Sequence, residues 1–259
     1  MTTELRRIFD SEAERYDRVR PSYPIGIFED LDVAGVRPPA RVLEIGPGTG
    51  KATVQLAGRG YRITAVELGP RLAAVARRNL AGFPGVRIEI GAFEEWPLPA
   101  EPFDMVFAAT AFHWIDPLVR VERSADALRP GGLLATVTTH HIAGGTVGFF
   151  AGVQEIYERW DPTTEPGITL RPAAEIPVDD AEILASERFE APVFHRYEWD
   201  ARYTTADYLD LLLTYSSTRA LPAERRNGLL SAIGRRIDED HGGRIVKRYL
   251  SELRLAEVK

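Results

Sequence analysis

The chain has 259 residues, 44% hydrophobic, 9% aromatic and 27% charged, which suits one large α/β domain with insertions, or two small domains, around a real core. Its formal net charge of −6 argues against a sequence-independent nucleic-acid binder, which needs a broad basic face. It holds no cysteine, so a disulfide framework, a thiolate nucleophile and a cysteine-based metal site are excluded.

The opening residues lack the basic-then-apolar pattern of a secretory leader, and no apolar run reaches membrane-spanning length, so cytosol is the default expectation. Residues 5–24, "LRRIFDSEAERYDRVRPSYP", read as an amphipathic helix ended by Pro21 and Pro24. From Arg41 the period changes. "RVLEIG", "RITAVE", "VRIEIG", "FDMVFAA" and "GGLLATVTT" are short apolar or β-branched runs bounded by Gly, Pro or polar residues. Helical patterns stand between some of them: "KATVQLAGR", "PRLAAVARRNLAGF" and "DPLVRVERSADAL". Strands alternating with helices predict βαβ units and a parallel sheet. "LRPGG", before the fifth strand, reads as a helix stop and turn.

Beyond about residue 140 the alternation becomes irregular. "GTVGFFAGVQEIYERW" looks helical, residues 161–177 are a proline-rich loop or lid, and "RFEAPVFHRYEWD" reads as a strand. Residues 204–221 and 222–243 read as two amphipathic helices. The tail "RIVKRYLSELRL" alternates well enough for a closing strand, with a terminal helix as the alternative. The simplest organisation is a single domain over 1–259. It comprises an N-terminal cover (1–38), a cofactor-binding core (41–140), a lid and helical insertion (141–240) and a closing strand (243–259).

The most informative stretch is "VLEIGPGTG", followed by "ITAVELGP". Glycines 46, 48 and 50 let the chain turn sharply and bring its N–H groups against a ligand. The spacing is E-x-G-x-G-x-G, and Lys51 stands where a dinucleotide fingerprint requires its third glycine. Glu44 adds a charge criterion. A carboxylate beside the turn repels a pyrophosphate but attracts the α-ammonium and sulfonium of S-adenosylmethionine. Glu67, ending the next strand, can accept from both hydroxyls of a ribose, which does not separate the two ligands. The plain alternative for both acids is a surface carboxylate at a strand end.

The run from "VLEIGPGTG" through "AVELGP", "IEIGAFEEWPL" and "FDMVFAATAFHWID" to "ALRPGG" resembles the class I S-adenosylmethionine-dependent methyltransferases. "RYDRVRPSYP" and "AFHWID" resemble a narrower branch, small-molecule enzymes similar to trans-aconitate methyltransferase. The resemblance implies a doubly wound, Rossmann-like sheet of seven strands with the last antiparallel. It also implies that Glu44, Gly46, Pro47, Gly48 and Gly50 hold the methionine part and Glu67 the ribose. Leu68 then packs on the adenine, Ala92 and Phe93 border it, and Ala109 ends the fourth strand beside the cofactor. An acid is common at the Ala92 position in this family, and its absence leaves the adenine to backbone groups and packing, or to Glu94 if the loop is shifted.

In an open α/β sheet ligands bind beyond the carboxyl ends of the strands, so the fourth strand delivers "ATAFHWID" to the site. The Asn/Asp-Pro-Pro-aromatic stretch of adenine amino-methyltransferases is missing there. His113 is the candidate base, because a histidine exchanges protons near neutral pH; the alternative is that it only lines the pocket. Trp114 is a pocket wall or a core residue, and His140 and His141 are further pocket candidates. Tyr16, Arg20 and Tyr23 of the N-terminal cover are substrate-side candidates, with Arg20 either clamping a carboxylate of cofactor or acceptor or pairing on the surface. No histidine–carboxylate spacing suggests a metal site.

The expected activity is methyl transfer from S-adenosylmethionine to a small molecule, at oxygen, by a monomer or homodimer without nucleic-acid or membrane partners. Alternatives are C- or N-methylation, a nicotinamide-dependent oxidoreductase and a non-catalytic cofactor-binding protein.

Overall fold

The computed structural model describes residues 9–259; residues 5–8 of the expected first helix lie outside the described residues. After a 3₁₀ turn at Phe9–Glu12 come α1 (Ala13–Val19) and α2 (Ile25–Val33), then β1 (Arg41–Ile45), α3 (Lys51–Gly58), β2 (Arg62–Glu67), α4 (Pro70–Asn79) and β3 (Val86–Ile90). β4 (Phe103–Ala109), α5 (Arg120–Ala127) and β5 (Leu128–His141) complete the alternating part. They are followed by α6 (Val147–Gly152), α7 (Gln154–Trp160), α8 (Ala181–Ala185), β6 (Val193–Thr204), α9 (Thr205–Leu212), α10 (Ser216–Ala220), α11 (Ala223–His241) and β7 (Arg244–Glu257).

The strands form one seven-stranded sheet in the order β3-β2-β1-β4-β5-β7-β6. β1 to β5 pair in parallel, and β7 runs antiparallel to both β5 and β6. The expected seven strands with the last reversed are therefore what forms. The strand order reverses direction between β1 and β4, which opens a crevice at their carboxyl ends. Central strands covered on both faces read as continuous apolar runs. Val42, Leu43, Met105, Val106 and Phe107 are all buried, split between two cores. One core packs Ile27, Phe28 and Leu31 of α2 against Val42, Met105 and Phe107. The other packs Leu43 and Val106 with Phe93, Phe103 and Phe112. A third gathers Phe149, Tyr208, Leu211, Leu229 and Ile233 around the start of β7.

Several boundaries differ from expectation. α2 has no counterpart among the expected elements, since the first helix is expected to end at Pro21 and Pro24; Pro24 precedes the first turn of α2, where a missing N–H costs nothing, and Ile27, Phe28 and Leu31 supply a buried face. The expected helix over 204–221 breaks between α9 and α10. There the Thr214 hydroxyl bonds back to the Leu211 carbonyl at 2.6 Å, and its own carbonyl accepts from Arg20 at 3.0 Å, a local competition that ends helices. The helix over 145–160 is likewise divided into α6 and α7. β5 begins at Leu128 and takes in the "RPGG" turn, with a register shift opposite Phe103 and Met105. The tail is a strand, and its terminal-helix alternative is not realised. No described helix is long and apolar enough to cross a membrane.

The N-terminal segment ties the core to the insertion. On the core side, Asp10 Oδ1 accepts the N–H groups of Arg71 at 2.7 Å and Leu72 at 2.9 Å, capping α4, whose own N-cap, Gly69, has no side chain to offer. A Cβ at Gly69 would lie 2.6 Å from that oxygen, so this cap needs glycine beside it. Glu14 pairs with Arg78, and Lys51 Nζ donates to the Asp17 carbonyl at 2.7 Å. On the insertion side, Arg15 and Arg18 reach Asp210, and Arg219 reaches Glu12. Exposed pairs contribute little each, but a side-chain cap is worth more. Asp10→Ala should lower stability by about 0.5–2 kcal/mol, measured by chemical denaturation, with Asp10→Asn restoring part of the loss.

Candidate functional site

β1 delivers Glu44 and Ile45 to the crevice, and the chain then turns. Gly46 adopts φ +63, and a Cβ there would stand 2.7 Å from the Ala111 Cβ. Only glycine admits both that conformation and that approach of the loop after β4. Gly48 donates its N–H to Glu67 Oε2 at 2.9 Å, and Gly69 donates to Oε1 at 2.8 Å, so the acid ending β2 is fixed by the backbone of two turns. Burial raises the Glu67 pKa against the pull of these bonds.

Glu44 is 1% exposed, and its Oε2 has no hydrogen-bond partner. Burial pushes its pKa up to about 8; the Thr53 hydroxyl opposes this and the charge of Glu67 adds to it. It lines a small chamber of about 130 Å³ with Pro47, Gly46, Gly48, Tyr23, Ala109 and Arg20. Thr110, just past β4, has φ +51, unusual for a β-branched residue. Its hydroxyl lies 2.6 Å from that of Tyr23, which also donates to the Ala109 carbonyl at 3.2 Å. Tyr23 thus fastens the cover onto the turn that floors the chamber, and burial keeps its phenol protonated.

A cavity of about 590 Å³ adjoins this chamber, and Tyr16, Arg20, Gly46, Gly48 and Thr110 border both. Leu68 and Phe93 line it beside Glu67. Phe93 is also packed in the core. Gly50 and Ala92 are not among its walls. Gly50, at φ +88, opens α3 and packs on Leu80. The Glu94 carboxylate accepts from the Asp116 N–H at 3.3 Å.

His113 and Trp114 enter the cavity from the 3₁₀ turn at Phe112–Trp114, with ring centroids 5.2 Å apart. Burial, with the Arg120 charge second, lowers the His113 pKa below 6.5, leaving the ring neutral near pH 7. His140 and His141 are neighbours on β5 and so point to opposite faces; only His141 reaches the cavity. Its pKa lies well below 6.5, through burial and then the charges of Lys247 and Arg20. Arg20 is held by Thr214 Oγ1 at 2.8 Å and lies over the rings of Tyr16 and Tyr215. Among the described residues it makes no ion pair.

The sequence reading missed Lys247, Tyr215, Tyr208 and Thr139 on the cavity wall. One signal was available for Lys247. In the alternation of β7 it shares a face with Ile245 and Tyr249, both buried. Tyr208 and Tyr215 come from the helical insertion, and nothing local marks which of its residues turn inward. Among the described residues no group of His, Cys, Asp and Glu is arranged to hold a metal ion.

Residues 42–132 match a family model described as a methyltransferase domain. An uncharacterized methyltransferase of Mycobacterium tuberculosis is 32% identical over 225 residues, covering 87% of this chain and 83% of that protein. Among solved structures, a putative type II methyltransferase from Anaeromyxobacter dehalogenans superposes with TM-score 0.57 at 23% identity, over 91% of this chain and 97% of that one. The Haemonchus contortus phosphoethanolamine N-methyltransferase 2, solved in complex with S-adenosyl-L-methionine, gives 0.52 at 18% identity, over 96% of this chain and 57% of that one. The chain belongs to the S-adenosylmethionine-dependent methyltransferases of the Rossmann-like, class I fold.

Proposed function

We propose that this methyltransferase acts on oxygen of a small molecule enclosed in the large cavity. One observation carries the reading: among the described residues lining the two chambers, the only acids are Glu44 and Glu67. Both stand at the glycine-turn end, so the acceptor end offers no carboxylate. An amine acceptor is cationic in water, and burying it there would leave its charge unpaired. A hydroxyl meets no such penalty.

The cofactor end suits S-adenosylmethionine. Glu44 presents a buried, unpartnered oxygen, the complement of an α-ammonium group. The backbone of the turn at Gly46, Pro47 and Gly48, which lines the small chamber, would hold the methionine part. Glu67 retains lone pairs for the ribose hydroxyls beyond the two N–H bonds it accepts. Leu68 and Phe93 provide apolar surface for the adenine. Bound S-adenosylmethionine supplies an electrophilic methyl group on a sulfonium. The chain's own part is alignment and exclusion of water, since the positive charge disperses as the nucleophile attacks. The cover and the insertion close the cavity from both sides. His113, neutral near pH 7, takes the proton of the acceptor hydroxyl.

The direct test is calorimetry with S-adenosylhomocysteine, followed by isotopic methyl transfer into a metabolite pool with base-labile methyl esters and methyl ethers separated from N-methyl products. Uptake of cofactor with label only on nitrogen or carbon would overturn the oxygen assignment.

Glu44 couples binding to protons. Its folded pKa is raised, so between the ordinary 4.5 and about 8 the native state holds a proton that the unfolded chain has released. Stability of the cofactor-free protein therefore falls as pH rises through that window. Glu44→Gln removes the effect. The variant should gain on the order of 2 kcal/mol or more over wild type between pH 5 and pH 8 in denaturant titrations, and lose cofactor affinity by about tenfold or more. At pH 7 binding to the wild type should also release a proton, seen as a buffer-dependent enthalpy that the variant lacks.

His113→Ala should lower kcat by about 10²-fold or more with S-adenosylhomocysteine affinity unchanged. The acidic limb of the wild-type pH profile should lie below 6.5. Wild-type turnover in the variant would remove the base role.

A further inference from the structure

The wall of the cavity away from the glycine turn carries a charge that the cofactor reading does not use. Lys247 is 5% exposed, and among the described residues no carboxylate lies within 4 Å of its ammonium. Its surroundings are aromatic. Nζ lies 5.7 Å from the ring of Phe150, 5.8 Å from Tyr208, 5.7 Å from Tyr215 and 5.5 Å from Tyr249. Ring faces attract a cation; burial lowers the ammonium's pKa and the Arg20 charge adds to this, while Tyr215 opposes it. None of these groups carries the negative charge that a buried ammonium normally finds.

The other charged groups nearby make the imbalance larger. Arg20 adds a second cation, bound to Thr214 rather than to an acid. His141, beside Tyr215 and Tyr249, is neutral through burial and through those two charges. The same cavity also has apolar side chains in its walls, among them Val153, Ile168, Leu170 and Leu212. Lys247 borders this large cavity and is not among the residues that line the small chamber of Glu44.

We propose that Lys247 is the specificity-determining residue of the acceptor site, and that the acceptor is an organic carboxylate whose anionic end it holds while an apolar body fills the remaining cavity. This rests on the small-molecule reading above and narrows it to one substrate class. A carboxylate is the anion proposed, because Lys247 is a single ammonium set among the rings of Phe150, Tyr208, Tyr215 and Tyr249, with the Arg20 guanidinium the other cation in the cavity wall. The carboxylate is the handle, and a hydroxyl on the same molecule is the group that meets His113.

The test uses binding, not turnover. The protein loaded with S-adenosylhomocysteine is titrated with 3-(4-hydroxyphenyl)propanoate and with octanoate, each against its own neutral amide. Each acid should bind about tenfold or more tightly than its amide. Lys247→Met should abolish that preference and Lys247→Arg should keep part of it, with S-adenosylhomocysteine affinity within about twofold of wild type in both. The acid–amide comparison on the wild type stands even if a variant does not fold. No preference for either acid, in protein that still takes up S-adenosylhomocysteine, would overturn this inference and leave the cofactor reading intact. Weakened S-adenosylhomocysteine binding in folded Lys247→Met would overturn it too, by assigning the lysine to the cofactor. Failure of the wild type to take up S-adenosylhomocysteine at all would instead strike the reading on which it rests.

Discussion

A carboxyl group with one oxygen lacking any partner lies at the end of the central strand, and the surrounding structure exists in a form that tolerates it. Glu44 cannot leave β1, because the residues on either side of it, Leu43 and Ile45, are locked into the core. It is 1% exposed, and Tyr23 and the glycine turn line the small chamber beside it. Its response in the cofactor-free protein is to hold a proton to about pH 8. Desolvation of this kind is unfavourable for folding, and a carboxyl group kept in that condition beside a left-handed glycine turn fits the cofactor-binding role proposed for it. The compensation is spread elsewhere, over the two apolar cores that sandwich β1 and β4.

The cover has the same logic. α1 is a short helix with only Ala13 and Val19 buried, too little apolar surface to hold it in place alone. What positions it is polar and long-range: Asp10 on the end of α4, Glu14 on Arg78, and Arg15 and Arg18 on Asp210. Because these partners belong to both the core and the insertion, the cover can be seated only when both are in register. Tyr16, Arg20 and Tyr23, which border the chambers, are therefore positioned by contacts made outside them. Ionic contacts of modest strength suit an element that must admit a ligand, whereas a buried hydrophobic seam would hold the site shut.

This division explains how much could be read from the sequence. β1 to β4, the glycine turn, Glu44 and Glu67 are products of local pattern, a strand's apolar run and a turn's glycines, and they were legible with little error in their bounds, whereas β5 runs back over the turn expected before it. α2 was hidden because Pro24 and Gly26 carry opposite meanings at a helix start and in a loop, and only the burial of Ile27, Phe28 and Leu31 decides between them. The break between α9 and α10 depends on Arg20, nearly two hundred residues away along the chain, and no window of sequence contains it. Lys247 lies between these cases. Its place in the alternation of β7 marks a lysine on a buried face, but a strand read for its apolar residues passes over the one that does not fit.

Taken together, the two chambers carry ionisable groups that lack close partners. Glu44 has an oxygen without a hydrogen bond, and Lys247 has no carboxylate within reach among the described residues, while Arg20 and Lys51 border the chamber of Glu44. Inside a protein such groups interact strongly because little water screens them, so leaving them unpaired is costly while the cavity is empty. Had the only requirement been a stable fold, an apolar residue at 247 packed among Phe150, Tyr208 and Tyr249 would serve better than a lysine, and a neutral side chain at 44 would avoid the unpaired oxygen. The residues actually present forgo that stability at two separate places, with opposite charge and different neighbours. Ligands that supply the missing countercharges would return it by mass action, one from each end of the cavity, which gives occupancy of the site a direct hold on the stability of the elements that enclose it.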